Sequence, residues 1–259
     1  VTSGIGCGVV DASMAALVLG TTAVVVTAVD RKTADYDHDL VAVPSPVADR
    51  WYVLAENGTG GRALEIGLEL LGLGFADAEA LAATAPAGSG GVVFQPWLSG
   101  TIAPVSAGNV RGGLAGIGLG TTRSDVVRSL YEGVAGNAAW LLPHVAALAG
   151  TTWSSIRLGG GGATSVLWAQ IVADVLGVTV ERVGEPRNAN ARGAALLAHA
   201  HPHIGTVDVA SIPDLVPVEG RHEPDPSTRA TYDRLVGELA DIHAAIRPVY
   251  DARAGWVGG

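Results

Sequence analysis

The chain has a single cysteine, few aromatic residues and no basic run anywhere in its 259 residues. One cysteine, Cys7, excludes a disulfide framework and predicts a reduced, cytoplasmic protein. The formal net charge of −9 and the missing basic patch exclude a nucleic-acid footprint. No apolar run is long enough to span a bilayer. There is also no initiating Met and no charged segment leading into an apolar signal. The chain starts abruptly in an apolar, glycine-rich stretch, from which we expect further sequence upstream of Val1. What is abundant is apolar side chain, 48% of residues, and glycine, 36 residues. That mixture suits an α/β protein with tight turns, close helix packing and a substantial core. An acidic chain can still bind phosphate, because backbone N–H groups serve without Lys or Arg.

Periodicity gives the order of elements. Met14–Leu19 and Ala23–Ala28 read as buried strands joined by the turn Gly20-Thr21-Thr22. A short strand is expected near Leu40–Val43, another over Trp51–Ala55, and a helix over Arg62–Leu71. An Ala-rich short helix and a Pro/Gly/Ser linker fill 74–90, followed by a strand at Val92-Val93-Phe94 and a mostly looped run to Gly113. Ser124–Ala149 is the longest helix, with Pro143 as an expected kink and Gly150 as its stop. The strand Ile156-Arg157-Leu158 enters Gly159-Gly160-Gly161-Gly162, and a helix follows from Ser165 to a stop at Gly177. A strand over 178–183, a helix over 191–200 and a final helix after Pro226 complete the pattern. Residues 201–228 read as a long polar loop. The alternation predicts an α/β fold with a mixed sheet, as a single domain over 1–259.

Two turns suit a nucleotide. In Leu19-Gly20-Thr21-Thr22 the glycine admits a phosphate to the backbone, and hydroxyls and N–H groups can donate to it; a plain structural turn is the alternative. In Gly159-Gly160-Gly161-Gly162-Ala163 four glycines leave the backbone bare for a flat ring, beside a helix N-terminus; a close helix–strand crossing explains the same residues. Neither is a Walker loop, which needs Gly-Lys-Ser/Thr. The dinucleotide spacing and its acidic ribose partner are absent too.

Several segments together resemble the FGGY carbohydrate kinases, xylulokinases most closely. Gly8-Val9-Val10 through Leu19-Gly20-Thr21-Thr22 is similar to the family's phosphate hairpin. Gly91-Val92-Val93-Phe94-Gln95-Pro96-Trp97-Leu98-Ser99-Gly100 resembles its G-L-x-F-x-P-Y-L-x-G run. Arg111-Gly112-Gly113-Leu114-Ala115-Gly116-Ile117, with Ser129-Leu130-Tyr131-Glu132-Gly133-Val134-Ala135, resembles its most diagnostic signature. Gly160-Gly161-Gly162-Ala163-Thr164-Ser165 and on to Trp168 and Gln170 is similar to its adenine loop. Asp174-Val175-Leu176-Gly177 and Arg192-Gly193-Ala194-Ala195-Leu196 continue the match, and the last helix, from Tyr232 to Tyr250, is similar to the family's ending.

The resemblance implies the ATP-binding lobe of an actin-like, ribonuclease-H-like ATPase. The complete enzyme would move the γ-phosphoryl of ATP, with Mg²⁺, to a sugar hydroxyl, a pentose such as xylulose being the expected acceptor. It places Gly20, Thr21 and Thr22 at the β- and γ-phosphates, Gly160, Gly161 and Gly162 at adenine and ribose, and Asn188 near the adenine. The family's sugar-binding N-terminal lobe has no counterpart in the sequence. Its catalytic Asp would precede Val1, which predicts an inactive chain by itself; Asp11 reads as a solvated turn residue. Two departures stand out: Gly100-Thr101-Ile102 where Gly-Glu-Arg is common, and Arg192 where Leu is common. A non-catalytic nucleotide-binding module, or an interaction protein that pairs as a homodimer through a bared face, is the competing reading.

Further residues carry weaker expectations. Trp97 is a candidate for lining a cleft, as are Glu56 and Asn57. Glu132 is expected to hold its helix against a loop as a buried carboxylate. His199, His201 and His203 suit a polar helix exit better than a metal site. The six tryptophans, Trp256 among them, form no stripe.

Overall fold

The computed structural model describes residues 1–201 and 205–253. A short helix α1 (Thr2–Gly6) leads into the hairpin β1 (Ala15–Leu19) and β2 (Thr22–Val29). Then come β3 (Ala34–Asp35), β4 (Leu40–Pro44), β5 (Trp51–Thr59), α2 (Gly61–Leu70) and α3 (Phe75–Ala82). A small ribbon of β6 (Val93–Gln95) and β7 (Gly113–Ala115) precedes the 27-residue helix α4 (Arg123–Ala149). The second half runs β8 (Ser155–Gly159), α5 (Val166–Leu176), β9 (Thr179–Val183), α6 (Ala189–His199), α7 (Ile212–Leu215), β10 (Val218–His222) and α8 (Arg229–Ala252).

Eight strands form one mixed sheet in the order β10-β9-β8-β1-β2-β5-β4-β3. β1, β2 and β5 pair antiparallel, whereas β8 and β9 lie parallel to β1. Strand alternation decides what faces what, since successive side chains leave opposite faces. Ala15, Leu17 and Leu19 of β1 point into a core shared with α4, α5 and α8. Ala16 points into the other, with Ile5 and Cys7, Tyr52, Ala189 and Ile212. Helices therefore cover both faces, as the expected α/β class requires.

The long helix is defined at both ends by its sequence. Thr122 and Asp125 form a reciprocal capping box, and Gly150 takes a left-handed conformation with φ 69° at the C-terminus. The helix continues through Pro143. Glu132 sits on it, fully buried. Its carboxylate accepts from Arg128 Nε at 2.7 Å, Tyr232 OH at 2.8 Å, Gly88 N at 3.0 Å and Ser89 Oγ at 2.6 Å. One carboxylate thus ties α4 to the loop at 88–89 and to α8. Burial raises the Tyr232 phenol, with the Glu132 charge adding to it, so the phenol remains a donor.

One sequence expectation is corrected by the topology. Residues 201–228 are not one polar loop: α7 and β10 lie within them, and β10 pairs antiparallel with β9 at the sheet's edge. The glycine-rich start forms α1, which packs closely on α6. A Cβ at Gly6 would stand 1.7 Å from Ala189 O, and one at Gly193 1.8 Å from Thr2 O. Arg192 joins the same contact, donating to Gly6 O at 2.8 Å and Gly184 O at 2.6 Å, a role the usual Leu could not fill.

Candidate functional site

β1 and β8 are adjacent and parallel, with Val18 opposite Gly159. Their C-terminal ends therefore deliver two turns to one place, the edge where open α/β sheets bind ligands. The first turn is Gly20-Thr21. Its carbonyls accept from the start of α2: Gly61 N reaches Gly20 O at 2.8 Å and Gly60 N reaches Thr21 O at 2.9 Å. Otherwise orphaned N–H groups of that helix end thus hold the turn.

The second turn is Gly160–Gly162. Gly160 has φ 88°, and a Cβ there would lie 2.4 Å from Leu19 O, so only glycine lets this turn press on the end of β1. Gly160 N also donates to Pro186 O at 2.9 Å. Gly161 is the opposite case: a Cβ there would meet nothing within 4 Å. It faces open space.

That space is a cavity of about 550 Å³. Leu19, Gly20, Thr21 and Gly61 form one side, Gly161, Gly162, Thr164, Ser165 and Trp168 another, and Leu64, Glu65, Phe75, Glu79, Tyr131 and Arg187 complete the wall. Ser165 caps α5, its Oγ accepting from Trp168 N at 2.9 Å, and the same hydroxyl donates to Glu79. The indole of Trp168 meets the Tyr131 ring edge-on, with centroids 5.4 Å apart, and donates to Tyr131 O at 3.2 Å. Burial raises the Tyr131 phenol, with the Glu79 charge a further cause, so it stays protonated. The dimensions suit a small molecule, and the bare glycine backbone, the aromatic rings and the Arg187 guanidinium suit one with a flat ring and an anionic tail.

Of the residues singled out from sequence, Gly20, Thr21, Gly161 and Gly162 line this cavity together. Gly160 lies behind the wall, against Leu19. Thr22 opens β2 and pairs with Thr59, and Asn188, at the start of α6, bonds Glu185 at 3.4 Å; neither is a wall residue, though Arg187 beside Asn188 is. Trp97 is no cleft residue. It is fully buried, donates to Asn137 Oδ1 at 3.0 Å and packs against Trp140 and His243. Asn57 is also in the interior, bonded to Ala103 O and Asn137 O, both at 3.1 Å, and Glu56 lies outside the cavity wall. Asp11 accepts from Ser13 N at 2.8 Å, a local turn bond. No group of three or more metal-ligating side chains occurs among the described residues, and His203 and Trp256 lie outside them. Glu65, Glu79, Tyr131 and Arg187 were not legible as site residues, because nothing in helical spacing distinguishes a cavity wall from any half-buried surface.

Comparison with known proteins accounts for this construction. The C-terminal domain of the FGGY family of carbohydrate kinases matches residues 15–201. The chain belongs to that family. Among curated FGGY relatives, the xylulose kinase of Staphylococcus epidermidis is 26% identical over 241 residues, covering 92% of this chain and 48% of that protein. A glycerol kinase of Citrifermentans bemidjiense is 35% identical over 163 residues, which is 62% of this chain and 32% of that protein. This FGGY chain thus spans about half the length of the xylulose kinase it matches. Among solved structures, xylulose kinase from Rhodospirillum rubrum aligns with a TM-score of 0.82 at 27% identity, over 96% of this chain and 50% of that one. A gluconate kinase from Lactobacillus acidophilus aligns with a TM-score of 0.86 at 24% identity, over 97% of this chain and 51% of that one. The actin-like ATPase fold of these FGGY kinases is the mixed eight-stranded sheet described above.

Proposed function

We propose that this chain is the nucleotide-binding half of a kinase that transfers the γ-phosphoryl of Mg-ATP to a sugar hydroxyl. The observation that carries the reading is the cavity formed where two glycine turns meet at the C-terminal ends of β1 and β8. In this reading Gly20 and Thr21 hold the β- and γ-phosphates, mainly through the backbone, with Thr22 beginning the strand behind them. Gly161 and Gly162 lie at the ribose and adenine, with Gly160 shaping the turn from behind and Asn188 beyond them. Gly161 fits that role best, since any side chain there would project into the space a ligand needs. Mg²⁺ would ride on the phosphates, as it commonly does, rather than in a protein cage.

Phosphoryl transfer needs positioning, charge neutralisation and a base for the acceptor hydroxyl. This half supplies positioning of the nucleotide. The base and most sugar contacts belong to the other half of the complete enzyme. A pentose such as xylulose is the favoured acceptor, because the likeness to a xylulose kinase extends over 92% of this chain. Thermal melting of the chain with and without millimolar Mg-ADP tests the reading. A ligand that binds only the folded state stabilises it by about 2.7 kcal/mol at a hundredfold excess over Kd. A clear rise is expected; its absence counts against the site. Sugar phosphorylation by this chain alone would overturn the division of labour between halves.

A further inference from the structure

One end of the cavity carries polar chemistry that the fold itself leaves unused. Glu79 projects from α3 into the wall, and one of its oxygens is fixed by the Ser165 hydroxyl that also caps α5. A carboxylate has about four acceptor sites, so capacity remains for a donor from the cavity. Tyr131, in the same wall, has a buried hydroxyl with no hydrogen-bond partner. The residue is 1% exposed, and its phenol is held protonated by burial and by the Glu79 charge. A buried, unpaired hydroxyl is costly to keep unless something satisfies it. Phe75, 54% exposed, also lines the cavity and supplies an aromatic ring there.

Glu79 and Tyr131 share the cavity wall, one an acceptor and the other a donor, and such a pair has a complement. Adenine presents an exocyclic amine, a donor, next to a ring nitrogen, an acceptor. Guanine presents a carbonyl oxygen where adenine has its amine. We propose that Glu79 is the specificity-determining residue for the nucleobase, accepting the exocyclic amine of adenine, with the Tyr131 hydroxyl as the adjoining donor. This rests on the cavity being a nucleotide site, as proposed above. Ser165 positions Glu79 and so couples base recognition to the start of α5, the helix that carries Trp168.

The test is calorimetric titration of the chain with Mg-ADP, Mg-GDP and the Mg complex of purine riboside 5′-diphosphate, which has the same ring without the amine. Wild type is expected to bind ADP about tenfold to a hundredfold tighter than the amine-free analogue, the worth of a hydrogen bond to a charged group. In Glu79→Met that ratio falls toward one, and in Glu79→Gln, which keeps an acceptor, it is intermediate. Tyr131→Phe removes an unpartnered hydroxyl, so its ligand-free melting is unchanged or raised while ADP affinity drops severalfold. That variant keeps the test open if Glu79→Met folds poorly. ADP binding with a ratio unmoved by Glu79→Met, or GDP binding as tightly as ADP, overturns this inference and leaves the nucleotide site standing. No binding by any of the three diphosphates overturns both.

Discussion

At the scale of the residue, two neighbouring glycines make opposite predictions. Gly160 cannot carry a side chain: φ is 88° and Leu19 O would be 2.4 Å from its Cβ. Gly160→Val is expected to lower stability by more than about 1 kcal/mol, read as a drop in the ligand-free melting temperature. At Gly161 a Cβ meets no protein atom within 4 Å, so Gly161→Val should melt close to wild type, yet lose the Mg-ADP shift. If Gly161→Val kept the full shift, the nucleotide would have to lie elsewhere. Cys7 belongs at this scale as well. It is fully buried, and burial pushes its thiol up to about 12, so it will not react with maleimide until the chain unfolds.

At the scale of the element, α4 is where the fold is joined. Glu132→Ala removes the carboxylate from four donors and leaves Arg128, 9% exposed, without its counter-charge. Breaking a buried pair this way costs about 3–5 kcal/mol, to be read by urea denaturation as an earlier midpoint with unchanged slope. Thr122→Ala, which opens the capping box, costs about 1 kcal/mol. α4 was legible from sequence because its signals are local: apolar spacing inside and Gly150 after. The same holds for the β1–β2 hairpin and for α5, bounded by Ser165 and Gly177. β10 was not legible. Val218-Glu219-Gly220-Arg221-His222 has a glycine in its middle and a largely exposed pattern, and it is a strand because β9 offers it an edge. α1 was missed for a related reason: two of its five residues are glycines, and its helical state comes from packing on α6. The glycine turns of the site could be read, but the wall facing them could not, since α2, α3 and Tyr131 reach the cavity only through tertiary packing.

At the scale of the whole molecule, histidines set the response to acid. His243 is 2% exposed, lies between Trp97 and Trp140, and has Nε2 3.0 Å from Thr101 Oγ. Burial and the charge of Arg247 hold its pKa below the ordinary value of 6.5. His144 and His222 are lowered too, in both cases first by burial. A group with a lowered folded-state pKa binds its proton more readily when unfolded. Stability from these three is complete above pH 6.5 and is lost as pH falls from there through their folded-state values. Melting temperature should therefore decline on acidification below neutrality, and His243→Gln should flatten part of that slope, whatever it does to stability at pH 8. A pH-independent melting temperature between 5 and 7 would contradict the burial argument.

The edge strand β10 also bears on solubility. It carries Glu219 and Arg221, and Arg221 is paired outward, reaching Glu181 at 2.9 Å and Glu223 at 2.7 Å. Behind it, β9 holds Val180 and Val183, both fully buried. Excising 217–223 would bare that strand's unpaired N–H and C=O groups beside two valines, a template for sheet-to-sheet stacking between molecules. The short polar strand is thus the guard against self-association, and its removal is expected to turn a clear solution turbid.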